Sequence, residues 1–191
     1  MAMVGVLALQ GDVSEHMLKL RGMGVSAVAV KNRAGLGNVD ALIIPGGEST
    51  AISRLIHTGG LFAPIKDFAR DRPVLGTCAG LIMCSREVPD SENRVTPLGL
   101  IDICVTRNGF GRQIDSFETL IAVEAFGQSI PAVFIRAPFI QSVGSQVTAL
   151  AHYEDKIVMA EQGNILVCAF HPELTADNSV FNYFVNKITT R

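Results

Sequence analysis

Apolar residues in the first half of the chain fall into compact runs separated by periodic stretches. Val4 to Leu9, Val25 to Val30, Asp40 to Pro45 and Arg72 to Gly76 are short and dense in Val, Ile, Leu and Ala. Runs of that length predict strands buried on both faces. Between them apolar positions recur at helical spacing. Val13, Met17, Leu20 and Met23 follow the first run, Ala51, Ile52, Leu55 and Ile56 the third, and "AGLIMCS" the fourth. Asp12 with Glu15 three residues on predicts an N-cap and capping box, and Gly22 and Gly24 predict the end of that helix. Strand alternating with helix predicts an α/β fold with a mainly parallel, doubly wound sheet flanked by helices.

The pattern changes beyond a polar loop, Glu87 to Pro97. From Leu98 to Phe170 the chain reads mostly as strands: "LIDICV", "FETLIAV", "AVFIR", "QVTALAHY", "KIVMAEQ" and "ILVCAF". These predict additional antiparallel strands in the second half. Val180, Tyr183, Phe184 and Ile188 then predict a closing helix. No repeat, low-complexity tract or linker interrupts the 191 residues, so residues 1–191 are expected to form a single domain.

Composition narrows the function classes. The chain is 48% hydrophobic and 18% charged, with a net charge of -2. That balance carries no electrostatic footprint for nucleic acid or an anionic membrane. The opening "MAMVGVLALQGD" lacks a basic n-region and is interrupted by Gln10, Gly11 and Asp12, so it reads as a first core strand rather than a signal peptide. No apolar run approaches the ~20 residues of a membrane span. A cytoplasmic protein is expected. Cys78, Cys84, Cys104 and Cys168 form no C-x-x-C pair, and His16, His57, His152 and His171 are scattered, so reduced thiols and neither a metal nor a cofactor are expected.

The candidate chemistry begins at "GTCAG", Gly76 to Gly80, which fits a G-x-nucleophile-x-G elbow between a strand and a helix. Small neighbours suit a strained turn, and a helix starting at Ala79 aims its dipole at the sulfur and offers the Ala79 N–H as an oxyanion donor. A buried structural cysteine fits the same five residues. Cys84, Cys104 and Cys168 lie within apolar runs and read as structural. A nucleophile needs a base and an orienting group. "FHPE" supplies both: Pro172 biases His171 towards extended backbone, and residues two apart then put His171 and Glu173 on one side. A satisfied histidine at a strand end is the alternative. In "IIPGGEST", Gly46 and Gly47 allow close backbone approach, and the Gly47 N–H offers a second oxyanion donor; a plain turn capped by Ser49 is the alternative. Gln10-Gly11, Gly46-Gly47, Cys78 and His171 all fall just past the carboxyl ends of predicted strands, the edge where open parallel sheets bind ligands.

Together "PGGES", "GTCAGLI" and "FHPE" resemble a class I glutamine amidotransferase, and the whole chain is most similar to the glutaminase subunit of pyridoxal 5′-phosphate synthase. Gly5 to His16, Leu42 to Thr50, Gly76 to Ile82, Arg107 to Glu118, Phe134 to Pro138 and Phe170 to Thr175 carry the resemblance. Gly109 occupies a position in Arg-Asn-x-Phe where that family tolerates a small residue. The resemblance implies a class I glutamine amidotransferase-like fold. It implies that Cys78 attacks the carboxamide of L-glutamine, while His171, oriented by Glu173, protonates ammonia and then activates water against the glutamyl thioester. It implies that Gly47 and Ala79 form the oxyanion hole. Gly47, Glu48, Ser49, Arg107, Ile135 and Arg136 match glutamine-binding positions, an arginine suiting the α-carboxylate. It also implies a partner, a (βα)8-barrel synthase subunit that receives the ammonia, with low activity until docking orders the Gly46-Gly47 loop. Gln10 to His16 is expected to form part of the docking surface. The rivals are a glutaminase subunit of another amidotransferase, which Arg107 to Glu118 argues against, a related cysteine hydrolase, and a catalytically silent binding subunit.

Overall fold

The computed structural model describes residues 2–91, 94–107, 109 and 116–189. The first half alternates as expected: β1 (Met3–Leu7), α1 (Val13–Gly22), β2 (Ser26–Val30), α2 (Arg33–Gly37), β3 (Ala41–Ile44), α3 (Ser49–Thr58), α4 (Phe62–Asp71), β4 (Val74–Thr77) and α5 (Ala79–Cys84). The second half holds β5 (Ile103–Thr106), β6 (Ser116–Val123), β7 (Gln128–Ile135), β8 (Phe139–Val143), β9 (Thr148–Tyr153), β10 (Lys156–Gln162), β11 (Ile165–Cys168), a 3-10 turn (Pro172–Leu174) and α6 (Ser179–Thr189). Among the described residues all eleven strands join one sheet, ordered β2-β1-β3-β4-β11-β10-β9-β6-β7, with β8 on β10 and β5 on β8.

From β2 to β11 the pairs are parallel. From β10 outward they are antiparallel. Burial follows that division. Every residue of β3, β4 and β11 is buried, whereas β6 alternates exposed and covered positions. Strands covered on both faces need unbroken apolar runs; one with a solvated face needs a period of two. Strand order reverses between β1 and β3, so their carboxyl ends diverge and leave a crevice.

Four elements differ from expectation. A short helix, α2, follows the second apolar run, where none is expected, and is capped by Asn32, whose Oδ1 accepts from Gly35 N–H at 2.9 Å. The third apolar run is followed by two helices, α3 and α4. Gly60 at φ 63° turns the chain between them, with Leu61 N–H donating to Ile56 O at 2.9 Å and Gly60 N–H to His57 O at 3.1 Å. This is a Schellman termination, and buried Leu61 seals it. Pro64 then lies in the first turn of α4, where no donor is lost. Strand β8 lacks a periodic apolar signal because it pairs mainly with β5 and meets β10 only at Ile157. Lastly, Asp12 occupies the N-cap position of α1 without making a side-chain cap bond, so the expected capping box does not form. Ser14 Oγ instead donates to Glu15 Oε2 at 2.9 Å.

Candidate active site

Between β4 and α5 the chain reverses at one residue. Cys78 has φ 49° and ψ -105°, an unusual conformation for a side chain with a Cβ. Two contacts impose it. The Cys78 N–H donates to Cys168 O on β11 at 2.8 Å, so the turn is anchored across the sheet. The flanking glycines let α5 start tight against the strands: a Cβ on Gly80 would sit 1.9 Å from Ile44 O, and one on Gly76 would sit 2.6 Å from Gly80 O. The "GTCAG" glycines are therefore steric requirements of the elbow. Cys78 is 7% exposed and opens onto the crevice.

His171 lies beyond the carboxyl end of β11, and its N–H donates to Val133 O on β7 at 2.8 Å. Its Nδ1 is 2.7 Å from Glu173 Oε1. The expected pair forms, but by a different backbone route. Pro172–Leu174 is a 3-10 turn, not extended chain, and the turn folds the Glu173 carboxylate back beneath the ring. The imidazole and Cys78 line the same cavity, and the Cys78 sulfur lies 3.9 Å from Ile135 O. Burial by itself lowers the His171 pKa; interactions with Cys78 and Glu173 outweigh it and raise the value to about 10. Burial pushes Glu173 up, but the His171 hydrogen bond and the two neighbouring histidines bring it below the ordinary range. Cys84 and Cys168 are fully buried, and burial raises both thiols, Cys84 to about 12. That environment matches the structural role expected for them.

Sequence reasoning missed the second carboxylate at this site. Asp12 Oδ2 is 3.4 Å from His171 Nδ1, and burial raises the Asp12 pKa. Asp12, His171 and Glu173 place one polar atom each within 4.8 Å of one another. The acidic position in "QGD" was legible, but its reading as a helix cap hid this contact.

The Gly46-Gly47 loop crosses the crevice from β3. Gly47 has φ 150°, and a Cβ there would lie 2.5 Å from Gln10 Oε1. A Cβ on Gly46 would lie 2.5 Å from His171 Cε1. Gln10 Oε1 accepts from Glu48 N–H at 2.8 Å, fastening the loop to the segment after β1. Glu48, not Ser49, caps α3: its carboxylate accepts from Thr50 N–H at 3.0 Å and Ala51 N–H at 2.7 Å. Partial burial raises the Glu48 pKa; these bonds and Arg107, 3.6 Å away, overcome that and lower it.

One cavity of about 380 Å³ collects the expected residues. Gly47, Glu48, Ser49, Cys78, Ala79, Arg107, Ile135, Arg136 and His171 all line it, joined by Gln10, Asp12, Ile82 and Pro138. Glu173 stands behind His171. Arg136 has φ 42°, a second non-glycine residue in the left-handed region beside the cavity. In the Arg107 to Glu118 stretch, Asn108 and Phe110 to Asp115 lie outside the described residues. Gly109 is described, and a Cβ there would meet Phe139 Cδ1 at 2.0 Å, so its smallness has a local steric reason.

A cysteine on a strained elbow, a buried imidazole–carboxylate pair and a polar cavity come together at the parallel-strand ends of a doubly wound sheet. Known proteins agree in fold. A solved structure described as a glutamine amidotransferase superposes with a TM-score of 0.93 at 39% identity, covering 98% of this chain and 99% of that one. A putative GMP synthase subunit from Thermoplasma acidophilum, at 17% identity and a TM-score of 0.70, shares the fold, covering 100% of this chain and 95% of its own. In sequence, the chain is 50% identical over 185 residues to the pyridoxal 5′-phosphate synthase subunit PdxT of Actinobacillus pleuropneumoniae, covering 97% of this chain and 95% of that protein. The subunit of the same name from Oenococcus oeni is 50% identical over 187 residues, covering 97% and 96%. Residues 6–190 match the SNO glutamine amidotransferase family model, and the chain belongs to that family.

Proposed function

We propose that Cys78, His171 and Glu173 form the catalytic triad with which this glutamine amidotransferase hydrolyses L-glutamine to L-glutamate and ammonia, as the glutaminase subunit of pyridoxal 5′-phosphate synthase. The observation that carries the reading is the Nδ1–Oε1 contact of 2.7 Å between His171 and Glu173 while the same imidazole lines one cavity with Cys78. An imidazole raised to about 10 is protonated at neutral pH and so holds a proton to give to a leaving group. The thiolate adds to the carboxamide carbon of glutamine. The imidazolium gives its proton to the departing ammonia, leaving a glutamyl thioester on Cys78. The neutral imidazole then takes a proton from water, whose oxygen attacks the thioester and releases glutamate.

The Gly47 and Ala79 N–H groups are the oxyanion donors of this reading. Glu48, Ser49, Arg107, Ile135 and Arg136 surround the remainder of the substrate. Arginine opposite a developing salt bridge suits the glutamine α-carboxylate, and the Glu48 carboxylate suits the α-ammonium. The ammonia passes to a (βα)8-barrel synthase subunit that assembles pyridoxal 5′-phosphate, and the exposed positions of the Gln10 to His16 stretch, Gly11 and Ser14, form part of the face it docks on, whereas His16 is buried and takes no part in it. Among the described residues no helix is long and apolar enough to cross a membrane. The protein is assigned to the cytoplasm and residues 1–191 to a single glutaminase domain.

The decisive experiment is glutamate release by the chain with and without its synthase subunit, in wild type and Cys78→Ala. Turnover that rises on adding the synthase and vanishes in Cys78→Ala is expected. Undiminished turnover in Cys78→Ala would end the triad assignment. Equal rates with and without the partner would end the coupling.

A further inference from the structure

Behind the imidazole–carboxylate pair lies a second histidine for which hydrolysis as described has no task. His16 is the fourth residue of α1 and is completely buried. Its Nε2 is 3.1 Å from Thr77 Oγ1 and 3.5 Å from Glu173 Oε2. Phe181 covers the ring edge-to-face, with centroids 5.8 Å apart. Two atoms of this cluster are buried without a hydrogen bond of ordinary geometry among the described residues: His16 Nδ1 and Glu173 Oε2. The long contact from Nε2 is therefore what Glu173 Oε2 has on its outer side.

The orphaned Nδ1 decides the tautomer. Burying an N–H with no acceptor costs more than burying a lone pair, so Nδ1 carries the lone pair and Nε2 the proton. That proton faces the Thr77 hydroxyl and the Glu173 carboxylate. Burial lowers the His16 pKa, against the opposing pull of Glu173 and Asp12, which keeps the ring in its neutral form.

We propose that His16 is a positioning residue of the hydrolysis, whose Nε2–H bridges Thr77, one residue before the nucleophile, and the outer oxygen of Glu173, so that α1 holds the carboxylate in register with the strand carrying Cys78. The proposal rests on the triad reading above. Its physical content is specific. Glu173 Oε1 is occupied by His171, and without a donor near Oε2 the carboxylate keeps one oxygen in an apolar pocket and takes up a proton at higher pH. Once protonated, Glu173 no longer holds the imidazolium. The titratable groups facing the pair are Asp12 just before α1, Glu15 on it, Cys168 on β11 and His171 from the turn after β11. Thr77 on β4 and Phe181 on α6 close the remaining sides.

The test compares His16→Leu, which keeps bulk and removes the donor, with His16→Gln, whose amide N–H reaches towards the Nε2 position. Glutamate release is followed from about pH 5 to 9 with the synthase subunit present. In His16→Leu, kcat is expected to fall about tenfold or more with KM within about twofold, and the acid limb to move up by about one pH unit. His16→Gln restores the limb and most of kcat. Full activity with an unmoved limb in His16→Leu overturns the proposal. So does equal loss in both variants with the limb unmoved, which marks a packing role. Where His16→Leu does not fold, 15N NMR of the wild-type imidazole decides: a neutral ring protonated on Nε2 is expected, and an imidazolium or an Nδ1–H tautomer overturns it. Failure of the triad reading is separable, because it appears as turnover surviving in Cys78→Ala whatever His16 does.

Discussion

Glu173 stands behind His171, its Oε1 2.7 Å from the imidazole Nδ1, while only His171 of the two lines the cavity. In the proposed triad the carboxylate therefore acts on substrate through the ring. Glu173→Gln keeps the shape and removes the charge, and its side-chain N–H competes for the ring nitrogen. The His171 pKa is expected to fall from about 10, and kcat to fall by about 100-fold or more. Histidine NMR titration and glutamate release check the two halves. An unchanged kcat would remove Glu173 from the mechanism.

The same pair links stability to pH. The folded His171 pKa lies above its unfolded value, so its contribution is complete below about 6.5 and is lost as pH rises towards about 10. Glu173 is lowered on folding, so its contribution is present above the ordinary carboxylate range and is lost as pH falls through the folded value. The denaturant midpoint is expected to decline between about pH 6.5 and 10 in wild type and to flatten in His171→Gln. An identical slope in both proteins rejects the assignment.

Strain at the elbow makes a prediction of opposite sign for stability and activity. At φ 49° and ψ -105°, Cys78 carries a conformational cost that glycine does not. Cys78→Gly is expected to be inactive yet more stable than Cys78→Ala by about 1 kcal/mol. Equal midpoints in chemical denaturation would show that the turn stores no such cost.

Gly80 lies in α5, where alanine ordinarily favours a helix by about 1 kcal/mol. Here the added Cβ would sit 1.9 Å from Ile44 O, a backbone atom of β3. Gly80→Ala is therefore expected to destabilise by about 3 kcal/mol or more and to lower turnover by displacing the Ala79 N–H. A melting temperature at or above wild type contradicts the close packing of α5 on β3.

Glu48 caps α3 and faces Arg107 at 3.6 Å. Glu48→Ala is expected to cost about 1 kcal/mol through loss of the cap. If its carboxylate also meets the substrate ammonium, KM for glutamine rises with it. Glu48→Ser restores the cap alone, so stability recovers while KM stays high. Recovery of both in Glu48→Ser assigns Glu48 to capping only.

Much of this was legible along the chain because parallel strands covered on both faces must be continuously apolar, and β1, β3, β4 and β11 announce themselves that way. Their carboxyl ends place Gln10-Gly11, Gly46-Gly47, Cys78 and His171 on one edge. The elbow was legible for a similar reason, since only glycine fits where α5 meets β3. Strand β8 was not, because it takes its order from pairing with β5. Helix α4 was not separated from α3, although Gly59-Gly60-Leu61 spells the Schellman turn between them.

The sequence by itself determined the doubly wound core, the elbow at Cys78 and the presence of an imidazole beside a carboxylate in "FHPE", because each depends on local sterics or on periodic burial. Tertiary structure alone decided what those groups meet. Asp12 reads as a helix cap and becomes a second carboxylate 3.4 Å from His171. His16 reads as the end of a docking stretch, Gln10 to His16, and becomes instead the buried neighbour of both Thr77 and Glu173. Neither partnership follows from spacing, since 61 residues separate His16 from Thr77 and only the packing of α1 against the sheet brings them together.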